Sequence, residues 1–472
     1  MEKYSYGIVG LGVMGRNLLY NIADNGFSIA GFDLDNEKVK DLENGATPNM
    51  IVAGTDSLEE FVSKLEAPRK IILMVPAGNP VDAVLQNITP LLSKGDIVID
   101  AGNSYFKDTN RRVDQLAAVG LHFMGMGVSG GEKGARRGPS IMPGGDLEAF
   151  GLLQPMLEAI SAKVDGEACT AYMGKGSAGN YVKMVHNGIE YAIMQLITEA
   201  YDLLRKGAGL NNDQLYDVFK EWNNGEMNSF LIEITRDIFQ QKDDLTDGYL
   251  VDMILDKAGA KGTGKWTSEQ AMEIGVSIPT IDTAVTSRII SAYKEERIKA
   301  SQLYSKDEIV KPENAELFIK EVGDALYLAT LISYAQGLAL LVKASEEYQF
   351  EIPLKDVVKI WRGGCIIRSV LLEKFYLAYS KDENLSNILL DQEISEIVKE
   401  KITSLRKTAA FAVSNGISTI GTQTALGYFD AYTTESLPVN LLQAQRDYFG
   451  AHTYQRIDRE GVFHTSWQSA NN

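Results

Sequence analysis

Gly10, Gly12 and Gly15 stand in the order G-x-G-x-x-G within "GIVGLGVMGRN", between an apolar run and a helix-periodic one. No other feature narrows the fold as far. The spacing meets three mechanical needs at once: a tight turn out of a strand, a backbone that lets a pyrophosphate come close, and a helix packed hard on that strand with its N-terminus toward the phosphates. Asp33 closes the second apolar run, "FSIAGFDLD", roughly 20 residues on, where such a turn is followed by an acid that accepts hydrogen bonds from ribose hydroxyls. A dinucleotide site is therefore expected at the N-terminus.

Up to about residue 176 the runs "YGIVGLG", "FSIAGFDLD", "KIILMVPAG", "GDIVIDAG" and "LHFMGMGVSGG" read as strands separated by amphipathic stretches. That alternation predicts an α/β Rossmann-type N-terminal domain over residues 1–176, with a parallel sheet and crossover helices. After Gly176 the texture turns to long helical periodicity, punctuated at "GAGLNND" and "SIPT", which predicts a large all-α domain over residues 177–433. The last segment, 434–472, is rich in aromatic and cationic residues and poor in helical patterning, the texture of a C-terminal tail that docks onto something. A chain of 472 residues exceeds what one core organises, so several domains agree with its length.

Ala325 to Val342 carries no charge and approaches the length of a membrane span. Thr330, Ser333, Gln336 and Gly337 interrupt it, and Asp324 and Lys343 close it, so a buried helix is expected and no membrane. A net charge of −17 argues against a nucleic-acid partner, yet leaves room for a locally basic pocket that holds an anionic ligand. Cys169 and Cys365 are far apart and in no paired pattern, and the four histidines are scattered, so neither a disulfide nor a metal site is implied. Met1 runs through Glu2 and Lys3 into an apolar strand without the features of a signal peptide. The expectation is a chain that starts near Met1 and works in a reducing cytoplasm.

Three constellations carry chemistry. In "YVKMVHNGIEY", Lys183, His186, Asn187 and Glu190 recur at helical spacing and form one polar stripe on a helix whose other positions are apolar. A cation, an imidazole, an amide and a carboxylate so aligned suit proton transfer; the competing reading is a solvated face with a Lys183–Glu190 ion pair. "GMGVSGGEKGARRGPSIMPGG" sets Ser129 and Ser140 among many glycines, which expose backbone N–H groups to an anion, unless the segment is a loose surface loop. "AGNS" leaves Asn103 at a strand end, where open sheets of this type bind ligands. At the ribose position, Asp33, Leu34 and Asp35 bring two carboxylates and no guanidinium, with no basic residue nearer than Lys38, which favours NAD over a 2′-phosphorylated cofactor.

With "EWNNGEMNSFLIEIT", "LDKAGAKGTGKWT", "GCIIRS" and "QAQRDYFGAHTYQRID", these segments resemble the 6-phosphogluconate dehydrogenase family over essentially the whole chain. The resemblance implies oxidative decarboxylation of 6-phosphogluconate to ribulose 5-phosphate and CO2, without a metal, in a homodimer whose tail enters the partner subunit. Lys183 would be the general base, its pKa lowered by burial and neighbouring positive charge, and Glu190 the acid that protonates carbon 1. Substrate contacts carry over to Asn103, Ser129, Gly130, Gly131, His186, Asn187, Tyr191, Lys261, Thr263 and Arg288, with Arg446 and His452 from the partner's tail. Cofactor contacts carry over to Gly10, Gly12, Val13, Met14, Gly15, Asp33, Leu34, Val75, Ala77 and Asn103. Many NADP-using members have an Asn-Arg-Ser/Thr triplet where this chain has Asp33, Leu34 and Asp35, and a lysine where it has Pro76. The expected cofactor is thus NAD, with NADP the alternative. Two rival functions are a β-hydroxyacid dehydrogenase of the 3-hydroxyisobutyrate type, usually a shorter chain, and a non-catalytic redox sensor, against which the intact Lys183 and Glu190 speak.

Overall fold

The five apolar runs form strands of one seven-stranded sheet, and their burial explains why they read as continuous hydrophobic segments. In the computed structural model, which describes residues 3–304 and 307–467, the strands are β1 (Tyr6–Val9), β2 (Ile29–Phe32), β3 (Val52–Thr55), β4 (Lys70–Leu73), β5 (Ile97–Asp100), β6 (His122–Ser129) and β7 (Ser140–Gly144). Their order is β3-β2-β1-β4-β5-β6-β7, and β1 through β6 run parallel. The Met1–Glu2 start and residues 468–472 of the expected tail lie outside the described residues. Apolar clusters fill both faces of the sheet, one around Ile8, Leu18 and Ile99 and the other around Val9, Phe61 and Val98.

The parallel sheet expected from alternation carries one antiparallel strand at its edge. β7 pairs antiparallel with β6, from Gly125↔Gly144 to Ser129↔Ser140. The link between them holds only the short helix Gly131–Arg137, too little chain for a crossover that would return a parallel strand. β3 also escaped the strand reading, because it is a four-residue edge strand, half-buried, and weakened by Gly54. A short hairpin, β8 (Lys163–Val164) with β9 (Glu167–Ala168), follows.

Helix Ala178–Leu203 begins just beyond the sheet and presses directly on β6 and β7. Glycine makes this possible: a Cβ on Gly179 would stand 2.3 Å from the Gly125 carbonyl oxygen, and one on Gly127 2.4 Å from Lys183 Cβ. Several glycines of the 125–145 segment therefore serve backbone-to-helix contact, and the segment is neither a loose loop nor wholly a ligand cradle. The apolar stretch 325–342 lies in helix Ala315–Glu347, which is long and apolar enough to cross a membrane but packs its Leu328, Leu331, Ile332 and Leu338 fully inside the protein. It touches helices Ala178–Leu203 and Gln392–Ser414, and Gly337 meets Ile189 where a side chain would collide. The punctuation holds: Asn211 and Gln214 form a capping box at Asn212–Asn223, and Pro279 opens helix Pro279–Ser291.

The chain forms two compact units, Met1–Ala425 and Leu426–Asn472. Within the second, helix Val439–Gly450 corrects the expectation of a tail poor in helix. Its Val439, Leu441, Leu442 and Phe449 are exposed and only Asp447 is buried, so no one-sided apolar stripe marks the helix in the sequence.

Candidate active site

At the β1–β4 boundary the strand order reverses direction, and the G-x-G-x-x-G turn sits at the end of β1. Gly10 has φ +99° and no room for a side chain, since a Cβ would approach Met74 O to 2.6 Å; at Gly15 it would lie 1.9 Å from Gly10 O. A Cβ on Gly12 would meet nothing within 4 Å. Tight on the protein side and open on the other, the turn fits a dinucleotide pyrophosphate at the N-terminus of helix Val13–Asp24. Val13 and Leu34 are exposed beside it, and Met14 is partly so. Val75 packs near Gly10 and Gly102, and Ala77 and Asn103 lie exposed past the ends of β4 and β5.

Asp33 accepts the Leu11 N–H at 2.7 Å and the Asp35 N–H at 3.0 Å, so its carboxylate is anchored at the turn. Lys38 Nζ lies 3.6 Å from Asp33 and 3.7 Å from Asp35. Arg69 is tied to Asp96 at 2.8 Å, and Lys70 lies over the Tyr6 ring.

The polar stripe is buried, which decides against a solvated face. Lys183, His186 and Asn187 are nearly or fully enclosed and Glu190 is largely so. Lys183 Nζ lies 3.4 Å from His186 Nδ1, which also bonds Asn187 Oδ1 at 3.0 Å. The amide oxygen can only accept, so Nδ1 carries the proton and Nε2 accepts from the Ser129 hydroxyl at 3.2 Å. Burial, then Lys183, holds the imidazole pKa well below its usual value, so the ring stays neutral.

Burial brings the Lys183 pKa down to about 8. Neighbouring positive charge, the second cause expected, is not what lowers it: Glu190 and Cys365 act on the lysine, and both push its pKa up. Glu190 responds in the opposite sense, its carboxyl raised by burial against the pull of Lys183 and Arg288. One water-poor pocket thus brings an amine and a carboxyl toward each other's range.

Arg288 stacks its guanidinium 3.4 Å from the centre of the Tyr191 ring and donates to Gly259 O, while the Tyr191 hydroxyl accepts the Lys261 N–H at 3.4 Å. Thr263 opens helix Thr263–Ile274, which packs on Gly188 through Thr267. Gly130 and Gly131 start the short helix after β6, both with positive φ. The "GCIIRS" segment, to which no local sequence pattern gives a role, adjoins this corner: the Ile366 N–H reaches Ser129 Oγ at 3.5 Å. Arg446 and His452 belong to the second unit, where Arg446 bonds Gln443 and His452 lies against Phe449.

No motif in the sequence marks Arg112. Fully buried, it donates to Asp82 at 2.8 Å, to Gly78 O at 3.0 Å and to the buried Asp100 at 3.4 Å, joining the start of helix Asn79–Ile88, after β4, to the end of β5. The signal was present, since Arg112 falls in helical phase with the buried Phe106, Thr109 and Leu116. Arg112→Met is expected to destabilise the protein by about 3 kcal/mol, because it strands Asp100 without its cation. The denaturation midpoint at unchanged m-value checks this.

Residues 5–187 match the family described as "NAD binding domain of 6-phosphogluconate dehydrogenase", and residues 179–467 match "6-phosphogluconate dehydrogenase, C-terminal domain". The chain is 53% identical over 469 residues to "6-phosphogluconate dehydrogenase, NADP(+)-dependent, decarboxylating" of Bacillus subtilis, covering 99% of this chain and 100% of that one. It is 49% identical over 471 residues to the decarboxylating 6-phosphogluconate dehydrogenase of Escherichia coli, with 99% and 100% covered. A solved Plasmodium falciparum 6-phosphogluconate dehydrogenase, described as apo, with its cofactor NADP+ and with 6-phosphogluconate, superposes with TM-score 0.96 at 46% identity, covering 98% of this chain and all of that one. Matches of this length leave the shorter β-hydroxyacid dehydrogenases unfavoured.

Proposed function

The chain belongs to the 6-phosphogluconate dehydrogenase family, and from that premise we propose that Lys183 is the base and Glu190 the acid of its reaction. That reaction is the oxidative decarboxylation of 6-phosphogluconate to ribulose 5-phosphate with reduction of a nicotinamide dinucleotide. The observation that carries the assignment is the burial of both groups on one helix, with the lysine pKa down to about 8 and the carboxyl raised. Gly10, Gly12, Val13, Met14, Gly15, Asp33, Leu34, Val75, Ala77 and Asn103 would hold the dinucleotide, which when bound accepts a hydride from carbon 3 of the sugar acid. Neutral Lys183 takes the proton of the hydroxyl on that carbon. The carboxylate then lies β to a carbonyl, and protonated Lys183 offsets the charge that grows on the oxygen as CO2 leaves. Glu190 delivers a proton to carbon 1 of the resulting enediol.

Ser129, the Gly130–Gly131 backbone, Asn103, His186, Asn187, Tyr191 and Thr263 would orient the sugar acid, with Lys261 and Arg288 toward its phosphate. We assign Arg446 and His452 to the same site in a partner copy. Exposed apolar residues on the second unit, Leu441, Leu442 and Phe449 among them, support a partner that covers them. For the cofactor we propose NAD in preference to NADP, on the strength of Asp33, Leu34 and Asp35. The free, buried thiols of Cys169 and Cys365 agree with a reducing cytoplasm.

The pH profile tests the acid–base assignment. The neutral fraction of Lys183 falls as pH drops below about 8, so kcat/KM for 6-phosphogluconate is expected to fall roughly tenfold per pH unit there. A profile flat across that range would sink the base assignment.

A further inference from the structure

We propose that Asp447 is a positioning residue that folds the tail around its own carboxylate, so that Arg446 and His452 reach the partner's site as a preset pair. The proposal rests on the composite-site reading above.

Asp447 is wholly buried in a helix whose other described residues are not. Oδ1 accepts from the Thr453 N–H at 2.9 Å and from His464 Nδ1 at 2.8 Å; Oδ2 accepts from the Thr465 N–H at 3.0 Å and from the Trp467 indole N–H at 2.9 Å. These donors use the full acceptor capacity of a carboxylate. All lie beyond the helix, so the bonds fold the chain back on itself rather than cap a turn. Burial opposes ionisation of the carboxyl, but the donors outweigh it and hold the pKa well below the usual carboxylate range.

The geometry reaches Arg446 and His452 by separate routes. His452 stands between Ala451 and Thr453, both non-glycine residues with positive φ, +50° and +63°. Such a backbone persists only where its surroundings fix it, and the Asp447–Thr453 bond is one such restraint. Arg446 precedes Asp447 in the chain and donates to Gln443 Oε1 at 3.2 Å, while Gln443 Nε2 donates to Thr453 O at 2.6 Å. The mutual Tyr454–Phe463 backbone bonds, both 2.8 Å, close the return segment. The tail has little apolar core, and this shared carboxylate supplies the order a core would give. A tail ordered in advance spares the substrate that ordering cost, which appears as a lower KM.

Asp447→Asn in the full-length enzyme keeps the size but removes acceptor capacity. KM for 6-phosphogluconate is expected to rise about tenfold or more, with kcat within about twofold and the dinucleotide KM unchanged, since Lys183 and the glycine turn are untouched. Trp467→Phe, which deletes one donor and keeps a ring, should move the same KM by less. An unchanged KM in both variants, or an equal loss for both ligands, overturns the proposal. A mixed dimer of Lys183→Met with Arg446→Ala separates the underlying reading. Verified heterodimers without recovered activity mean that the tail serves its own subunit. Recovered activity beside a wild-type KM in Asp447→Asn means that only the role of Asp447 fails.

Discussion

Lys183→Met is expected to lower turnover by about three orders of magnitude or more while making the fold more stable. Methionine is similar in length, carries no charge and cannot accept the hydroxyl proton, so positioning survives and the base is lost. The gain in stability follows from the same burial that lowers the lysine pKa and would suit it to act as a base. Its pKa is 10.5 for a free side chain and about 8 in the fold. A base whose folded pKa lies below its unfolded value penalises the native state whenever both forms are protonated, here below pH 8. That penalty is about 3 kcal/mol. As pH rises from about 8 toward 10.5, the unfolded chain holds a proton that the folded one has released, and the penalty shrinks to nothing. Methionine should therefore raise the urea midpoint most at neutral pH and progressively less above pH 8. Near-normal turnover would remove Lys183 from the chemistry; unchanged stability at neutral pH would mean that the amine is better solvated than its enclosure implies.

The Lys183 stripe shows where sequence periodicity stops. Spacing put Lys183, His186, Asn187 and Glu190 on one face, but period alone cannot distinguish a face toward solvent from one pressed on a sheet. Gly179, Gly125 and Gly127 decide it, because without side chains they let the helix and β6 meet, whereas the sequence alone assigns the glycines of the 125–145 segment to ligand binding. β1, β2, β4, β5 and β6 were legible because strands buried on both faces are apolar throughout. β7, closed by Pro143 and glycines, was not, and neither was the half-buried β3. Asp447 could not be found from spacing, since its partners lie up to twenty residues away and are chosen by a folded-back chain. Motif resemblance supplied the roles of Lys261, Arg288, Arg446 and His452, which no local pattern would have joined.

The remaining large effect is cofactor choice: kcat/KM should favour NAD over NADP by a factor on the order of tens to a few hundred. A 2′-phosphate carries close to two negative charges, and here it would meet Asp33, held in place by the Leu11 and Asp35 N–H groups, with Leu34 exposed where a guanidinium would be useful. Loss of a charge-assisted bond together with like-charge repulsion amounts to roughly 2–4 kcal/mol before screening reduces it. The counterweight is Lys38, within 4 Å of both carboxylates and exposed enough to turn toward a phosphate. Arg69 is unsuited to that task, since its guanidinium is committed to the buried Asp96. The Bacillus subtilis relative is named NADP(+)-dependent, so the comparison has a sharp edge. Equal or better kcat/KM with NADP would show that Lys38 or another cation holds the phosphate, and Lys38→Ala should then depress NADP use selectively. If NAD is preferred, replacing Asp33, Leu34 and Asp35 by Asn, Arg and Ser should move the preference toward NADP. The fold should tolerate the change, because the side chain of Asp35 caps helix Asn36–Gly45 through the Glu37 N–H, a bond that serine can also accept. No shift in the triple variant would mean that selectivity is set away from the end of β2.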